Sequence, residues 1–186
     1  MVFAYADPPY PGSSKKHYGM PEVNHPLLIS HLINDFPDGW ALSTGAVNLK
    51  YVLNLCPEDV RVGVWVKRLV FFRPGVNPSY AWEPVIFWRG RKRPPGSPEC
   101  PTIYDWVEAN TTFKTGCPGA KPEKVCWWIF EMLGAQPADE LVDIFPGSGA
   151  VTKAWESWRR LLWNAPRPTN KNLDLLHAEE TLARNV

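Results

Sequence analysis

The 186-residue chain carries only four cysteines, Cys56, Cys100, Cys117 and Cys126, with no CxxC pair and no histidines at zinc-finger intervals. This spacing argues against the common structural zinc modules and favours free thiols in a reducing compartment. His17, His25 and His31 form no set with carboxylates at metal-ligand spacing, so no metal is expected. No run approaches the roughly 18 apolar residues of a membrane span. Met1 to Ala6 reaches Asp7 too soon for a signal peptide, so a cytoplasmic protein without a membrane partner is expected. A full GxGxxG fingerprint and a GxxxxGK[ST] phosphate loop are both missing, which removes the commonest nucleotide-binding signatures. Net charge is scarce as well: at +1 it says nothing for or against a polyanionic partner.

Apolar residues make up 45% of the chain and aromatics 13%, including ten tryptophans, ample for a single core. Twenty prolines recur along the chain and do not form one tract, which predicts short elements with fixed turns. The charge is unevenly spread. Arg61, Lys67, Arg68, Arg73, Arg89, Arg91, Lys92 and Arg93 face a single acid, Glu83, over 61–93. Such a stripe fits either a polyanion-binding face or a solvated hairpin with basic ends.

The pattern predicts strands at Val2–Ala6, Trp40–Thr44, Val60–Phe72, Ala81–Trp88 and Leu141–Phe145. Helices are predicted at His25–Phe36, near Val47–Leu55, at Pro122–Leu133 and at Ala150–Trp158. Gly90–Gly119, rich in proline, glycine and charge, reads as an extended insertion with one short element around Ile103–Ala109. The polar tail from Ala165 carries one helix-like stretch, Asn172–Ala183. Alternating strands and helices indicate an α/β fold, a sheet with helices on both faces.

Two motifs carry chemistry. Asp7-Pro8-Pro9-Tyr10 follows the first strand directly. An exocyclic amine is a poor nucleophile because its lone pair is delocalised into the ring. A carboxylate and a backbone carbonyl that each accept one N–H can draw the nitrogen toward tetrahedral geometry. Two prolines stiffen that turn and remove N–H groups, and a tyrosine ring can stack on an unstacked base. A proline-rich turn with a capping aspartate would look the same. The second motif, Asp143-Ile144-Phe145-Pro146-Gly147-Ser148-Gly149, runs from strand into helix. Its glycines admit a nucleotide-like ligand close to the backbone, and the helix N-terminus favours a carboxylate. Both motifs fall at strand carboxyl ends, which share one crevice in an open α/β sheet.

In that order, the pair resembles the permuted group of DNA amino-methyltransferases, in which the catalytic motif precedes the donor-binding motif. Lys121-Pro122-Glu123 before a helix resembles the group's KP motif, and Ala81–Phe87 its late catalytic strand, after a V-W-V-K strand at Val64–Lys67. The resemblance covers about residues 1–163, and is nearest to compact DNA methylases of actinobacteria and their phages. It implies a compact, truncated Rossmann-like S-adenosylmethionine-dependent methyltransferase sheet acting on DNA. In one domain over 1–186 it implies a catalytic half (1–89), an insertion with DNA contacts (90–119), a donor-binding half (120–164) and a tail (165–186).

Carried over by position, Asp7, Pro8, Pro9 and Tyr10 are the catalytic set. Lys121, Pro122, Asp143, Phe145, Pro146, Gly147, Ser148 and Gly149 are the S-adenosylmethionine set. Arg89, Arg91, Lys92 and Arg93 are candidates to grip phosphates near the site. The DPPY form tilts the expectation to adenine N6 over cytosine N4. An inactive DNA-binding module and methylation of an amine on RNA or a small molecule stay open. The chain departs from the group where a strand after the donor helix should end in a ribose-binding acid. The matching stretch, Arg159–Trp163, ends at Asn164-Ala165-Pro166. The next strand and a large target-recognition domain are not evident, which implies weak donor affinity or dependence on a homodimer or another protein partner. Trp127 and Trp128 are expected to pack, and Cys126 to be buried and inert.

Overall fold

The computed structural model describes residues 1–11, 21–69, 74–94, 96, 102–111 and 120–164. The tail helix expected at Asn172–Ala183, and parts of the expected Val60–Phe72 strand and Gly90–Gly119 insertion, lie outside the described residues.

Six strands form one sheet: β1 (Val2–Ala6), β2 (Gly39–Ser43), β3 (Arg61–Val66), β4 (Trp82–Arg89), β5 (Trp106–Glu108) and β6 (Glu140–Asp143). Their order across the sheet is β5-β3-β4-β2-β1-β6. β1 runs parallel to both β2 and β6, and β5 parallel to β3, while β4 is antiparallel to its neighbours β2 and β3. All strands except β4 therefore point their carboxyl ends to one side, and β4 brings its amino end there.

Helix α1 (His25–Asp35) starts where the Asn24 side chain accepts from the Leu27 N–H, with Pro26 in its first turn. A 3₁₀ turn at Ala46–Asn48 leads into the short helix α2 (Leu49–Leu53). Helix α3 (Glu123–Met132) is capped by Pro122, and α4 covers Ala150–Asn164. Two apolar layers flank the sheet. Ala4, Trp40, Leu42, Ile86 and Trp88 pack with Ile29, Leu32 and Val52 on one face. Phe3, Tyr5, Trp65 and Phe87 pack with Ile129, Phe130, Trp155 and Trp158 on the other. Each large apolar side chain so buried contributes about 1.5–3 kcal/mol. No described helix is long and apolar enough to cross a membrane.

One sequence expectation needs correction here. Arg159–Trp163 is not a strand but the last part of α4. Val151, Ala154, Trp155 and Trp158 recur at helical spacing and are buried, so the packing that starts the helix carries on through Arg159. A helix of fifteen residues is roughly 22 Å long, so Asn164 lies far from the turn at 146–149. The short element expected around Ile103–Ala109 is present as β5 (Trp106–Glu108). β5 extends the sheet beside β3, and the Trp65 and Trp128 indole N–H groups donate to the Ala109 and Tyr104 carbonyls. Trp128 is a packing residue, with its ring edge-on to Phe87.

That packing leaves no room at Gly63 in β3, where a Cβ would lie 2.8 Å from the Trp128 ring and 3.0 Å from the Asp105 carbonyl oxygen. Gly63→Ala is therefore expected to destabilise the protein by about 1–3 kcal/mol, read as a lower urea midpoint. An unchanged midpoint would show that the indole can move aside.

Candidate active site

Tyr5 and Asp143 are paired across β1 and β6, and the Ile144 N–H donates to the Tyr5 carbonyl at 2.9 Å. The chain then leaves β1 at Asp7-Pro8-Pro9-Tyr10 and β6 at the Phe145–Gly149 turn. The two motifs thus emerge side by side at the carboxyl edge, as their spacing in an open sheet predicts.

Asp7 is tied into a charged network with Lys121, Glu83 and Lys67. The Lys121 ammonium, 4% exposed, lies 3.2 Å from Asp7 Oδ1 and hydrogen-bonds Glu83 Oε1. Glu83 Oε2 accepts from Lys67 Nζ at 2.8 Å. Both ammonium groups sit against the Trp65 ring, 4.5 Å (Lys67) and 5.2 Å (Lys121) from its centroid. Two carboxylates and two ammonium groups leave the network neutral. Burial pushes the Glu83 carboxyl up, but Lys121 and Lys67 overcome it and hold the pKa at about 2. At Asp7 burial wins, with Glu83 adding to it against the pull of Lys121, and the carboxyl lies above its ordinary range. Lys121 is held well above the ordinary lysine value because Asp7 and Glu83 outweigh its burial.

A cavity of about 340 Å³ meets this network at Lys67 and Glu83 and is lined also by Tyr10, Gly45, Tyr80 and Trp82 among others. Gly45, just past β2, lets the Tyr10 ring close in, since a Cβ there would meet the ring at 3.0 Å. The cavity is large enough for a heterocyclic base. Tyr5, under Asp7, shares a 2.8 Å hydrogen bond with Ser43.

On the other side of Asp7, both Asp143 oxygens are shut off from solvent and make no hydrogen bond of ordinary geometry. Burial raises its pKa, the Phe145 N–H offsets part of this, Asp7 adds to it, and the Thr152 hydroxyl lowers it slightly. Gly147 and Gly149 take positive φ angles of 45° and 72°; a Cβ would meet only the Phe145 carbonyl oxygen, at 3.8 Å, at Gly147 and open space at Gly149. Ser148 and Pro146 complete the turn, in which the Gly149 N–H donates to the Pro146 carbonyl. Pro122 is buried at the start of α3, and Lys121 turns to Asp7 and Glu83. Cys126, buried on α3, has its thiol pushed up to about 12 by burial, which keeps it protonated and inert.

The expectation that Arg89, Arg91, Lys92 and Arg93 lie near this site is overturned. β4 runs antiparallel, so its carboxyl end, Arg89, pairs with Gly39 at the amino end of β2. The Arg91 guanidinium donates to both Asp139 oxygens at 2.7 Å, and Asp139 also holds the Met1 amino group at 2.9 Å. Arg89 donates to the Pro37 carbonyl and Arg93 to that of Glu131. The run belongs to the opposite edge of the sheet, where it ties β4 to α1, α3 and the start of β1. Sequence reasoning missed Glu83, Lys67, Trp65 and Gly45. A signal for Glu83 existed: it is the lone acid of the basic stripe, set inside an apolar strand.

No family model and no curated protein matches the chain. Solved structures do. The crystal structure of the M1.HpyAVI–SAM complex aligns with a TM-score of 0.57 at 18% identity, covering 84% of this chain and 78% of that one. A crystal structure of M1.HpyAVI aligns with a TM-score of 0.53 at 17% identity, covering 84% and 76%. The chain has the α/β fold of a protein solved with S-adenosylmethionine, in a compact form with a six-stranded sheet.

Proposed function

We propose that the protein transfers a methyl group from S-adenosylmethionine to an exocyclic amine of a DNA base, adenine N6 in the first instance. The observation that carries this is the meeting of Asp7-Pro8-Pro9-Tyr10 and the Asp143–Gly149 turn at adjacent, hydrogen-bonded strand ends, with a base-sized cavity beside Tyr10. The solved complex of M1.HpyAVI with SAM shares the fold and supports the choice of donor.

The residues of the β6 turn fit that donor. Asp143 offers a buried carboxylate with no cation paired to it among the described residues, suited to an ammonium or hydroxyl. The open backbone at Gly147 and Gly149 admits a ligand, and the first N–H groups of α4 suit a carboxylate. Phe145, Pro146 and Ser148 shape the turn, and Pro122 would flank the donor as the KP resemblance implies. Bound there, S-adenosylmethionine supplies a methyl group already activated on sulfur, so no metal is needed. In this reading Asp7 accepts one N–H of the amine, the Pro8 carbonyl accepts the other, and Pro9 stiffens the turn. Tyr10 stacks on the base in the cavity. When the nitrogen gains its methyl group it releases a proton, which Asp7 takes and passes to water. Cytosine N4 fits the same geometry, and the DPPY form is what favours adenine.

One observation favours a weakly held donor: β6 is an edge strand among the described residues, and no strand follows α4 there to present a ribose-binding acid. Calorimetric titration with S-adenosylmethionine is expected to give a Kd of tens of micromolar or weaker, about −6 kcal/mol. Asp143→Ala should weaken it about tenfold, the share of one charge-assisted hydrogen bond. A Kd of about 1 µM or tighter would refute the weak hold, and no heat at millimolar donor would refute the donor.

A further inference from the structure

Lys121 is assigned to the donor site by its KP motif, but its ammonium faces the other way, and this asks for a different role. A carboxylate at a strand end rotates about two bonds, and an acceptor for an amine proton has to stand still. Lys121 reaches Asp7 Oδ1 at 3.2 Å from a buried position, and Oδ2 has no partner among the described residues. Glu83 keeps Lys121 in place, and Lys67 offsets part of its repulsion of Asp7.

We infer that Lys121, locked by Glu83, is the positioning residue for Asp7: it pins Oδ1 and leaves Oδ2 to accept the substrate amine. This rests on the methyltransferase reading above. The pinning is a charge-assisted contact from a buried ammonium, and it orders the carboxylate before substrate arrives. The network also supplies charge. Asp7 is faced by Lys121, Lys67, Glu83, Tyr5, Cys126 and Asp143. Only the two lysines favour its ionised form.

The test uses the full-length protein with S-adenosylmethionine and DNA. Lys121→Met should lower kcat about 10²-fold, with the donor KM changed by less than about threefold. The acid limb of the kcat–pH profile should move up by about one pH unit or more, as Asp7 loses its cation. Lys121→Arg should recover about tenfold of that loss, and Glu83→Gln should lower kcat by less while moving the limb the opposite way, because it removes a charge that repels Asp7. A raised donor KM with an unmoved limb would overturn the inference and return Lys121 to the donor site. Carbon-13 NMR titration of the Asp7 carboxyl, assigned through Asp7→Asn, separates this inference from the proposed activity. Its midpoint should rise in Lys121→Met or, if that variant does not fold, in Lys121→Gln. An unmoved midpoint overturns the inference; a raised one sustains it even where the wild type transfers no methyl to DNA.

Discussion

Asp7→Asn is expected to lower methyl transfer about 10³-fold while leaving the protein folded and donor binding close to wild type. The substitution keeps the side chain's shape and removes its charge. The neutral amide is a weaker acceptor for the amine N–H and cannot take its proton. Stability should not fall with activity. The folded pKa of Asp7 is raised, so its ionised form costs stability above that pKa, and the cost vanishes as pH falls below its unfolded value. Asparagine removes that cost at neutral pH, so the urea midpoint should hold or rise, although Lys121 loses one contact. Activity lost together with the fold would instead make Asp7 a structural residue, and activity kept would remove it from the catalytic set.

Glu83→Ala should have the opposite signature, a loss of about 3–5 kcal/mol in folding stability. The side chain is mostly buried between two ammonium groups, and Lys121 is buried deeper still. Removing the acid leaves both cations short of a partner. The same residue sets an acid-sensitive window. With the folded pKa lowered from 4.5 to about 2, Glu83 contributes stability that is complete above pH 4.5 and drains away as pH falls toward 2. The shift corresponds to roughly 3 kcal/mol. Urea unfolding at pH 7 and pH 3 should therefore show a gap between wild type and Glu83→Gln that narrows on acidification. A gap independent of pH would mean that the carboxylate charge is not what stabilises the network.

The sequence revealed the two motifs because each is local: an apolar strand, then a turn chemistry that few other purposes require. It revealed most elements for the same reason, with β1 bounded at Asp7 and α1 at Asn24. What it concealed depends on strand direction. Arg89 to Arg93 would stand at the crevice if β4 ran parallel; because β4 runs antiparallel, that end is carried to Asp139 and Met1. Nothing in Ala81–Trp88 encodes which way the strand will pair. The Asp7–Lys121–Glu83 network joins residues up to 114 positions apart, and it forms only because β4 and the start of α3 converge beside β1. Arg159–Trp163 misled for a smaller reason: Leu161, Leu162 and Trp163 are apolar but exposed at the end of α4, and exposed apolar residues mimic a strand.

Transfer of tritiated methyl from S-adenosylmethionine to unmethylated DNA, followed by digestion and separation of the nucleosides, tests the central claim most directly. The account predicts label in N6-methyladenine with the wild-type protein and none with Asp7→Ala. Label in N4-methylcytosine would keep the site and correct the base. No label in DNA, under conditions where calorimetry shows the donor bound, would contradict DNA methylation as the function of this crevice.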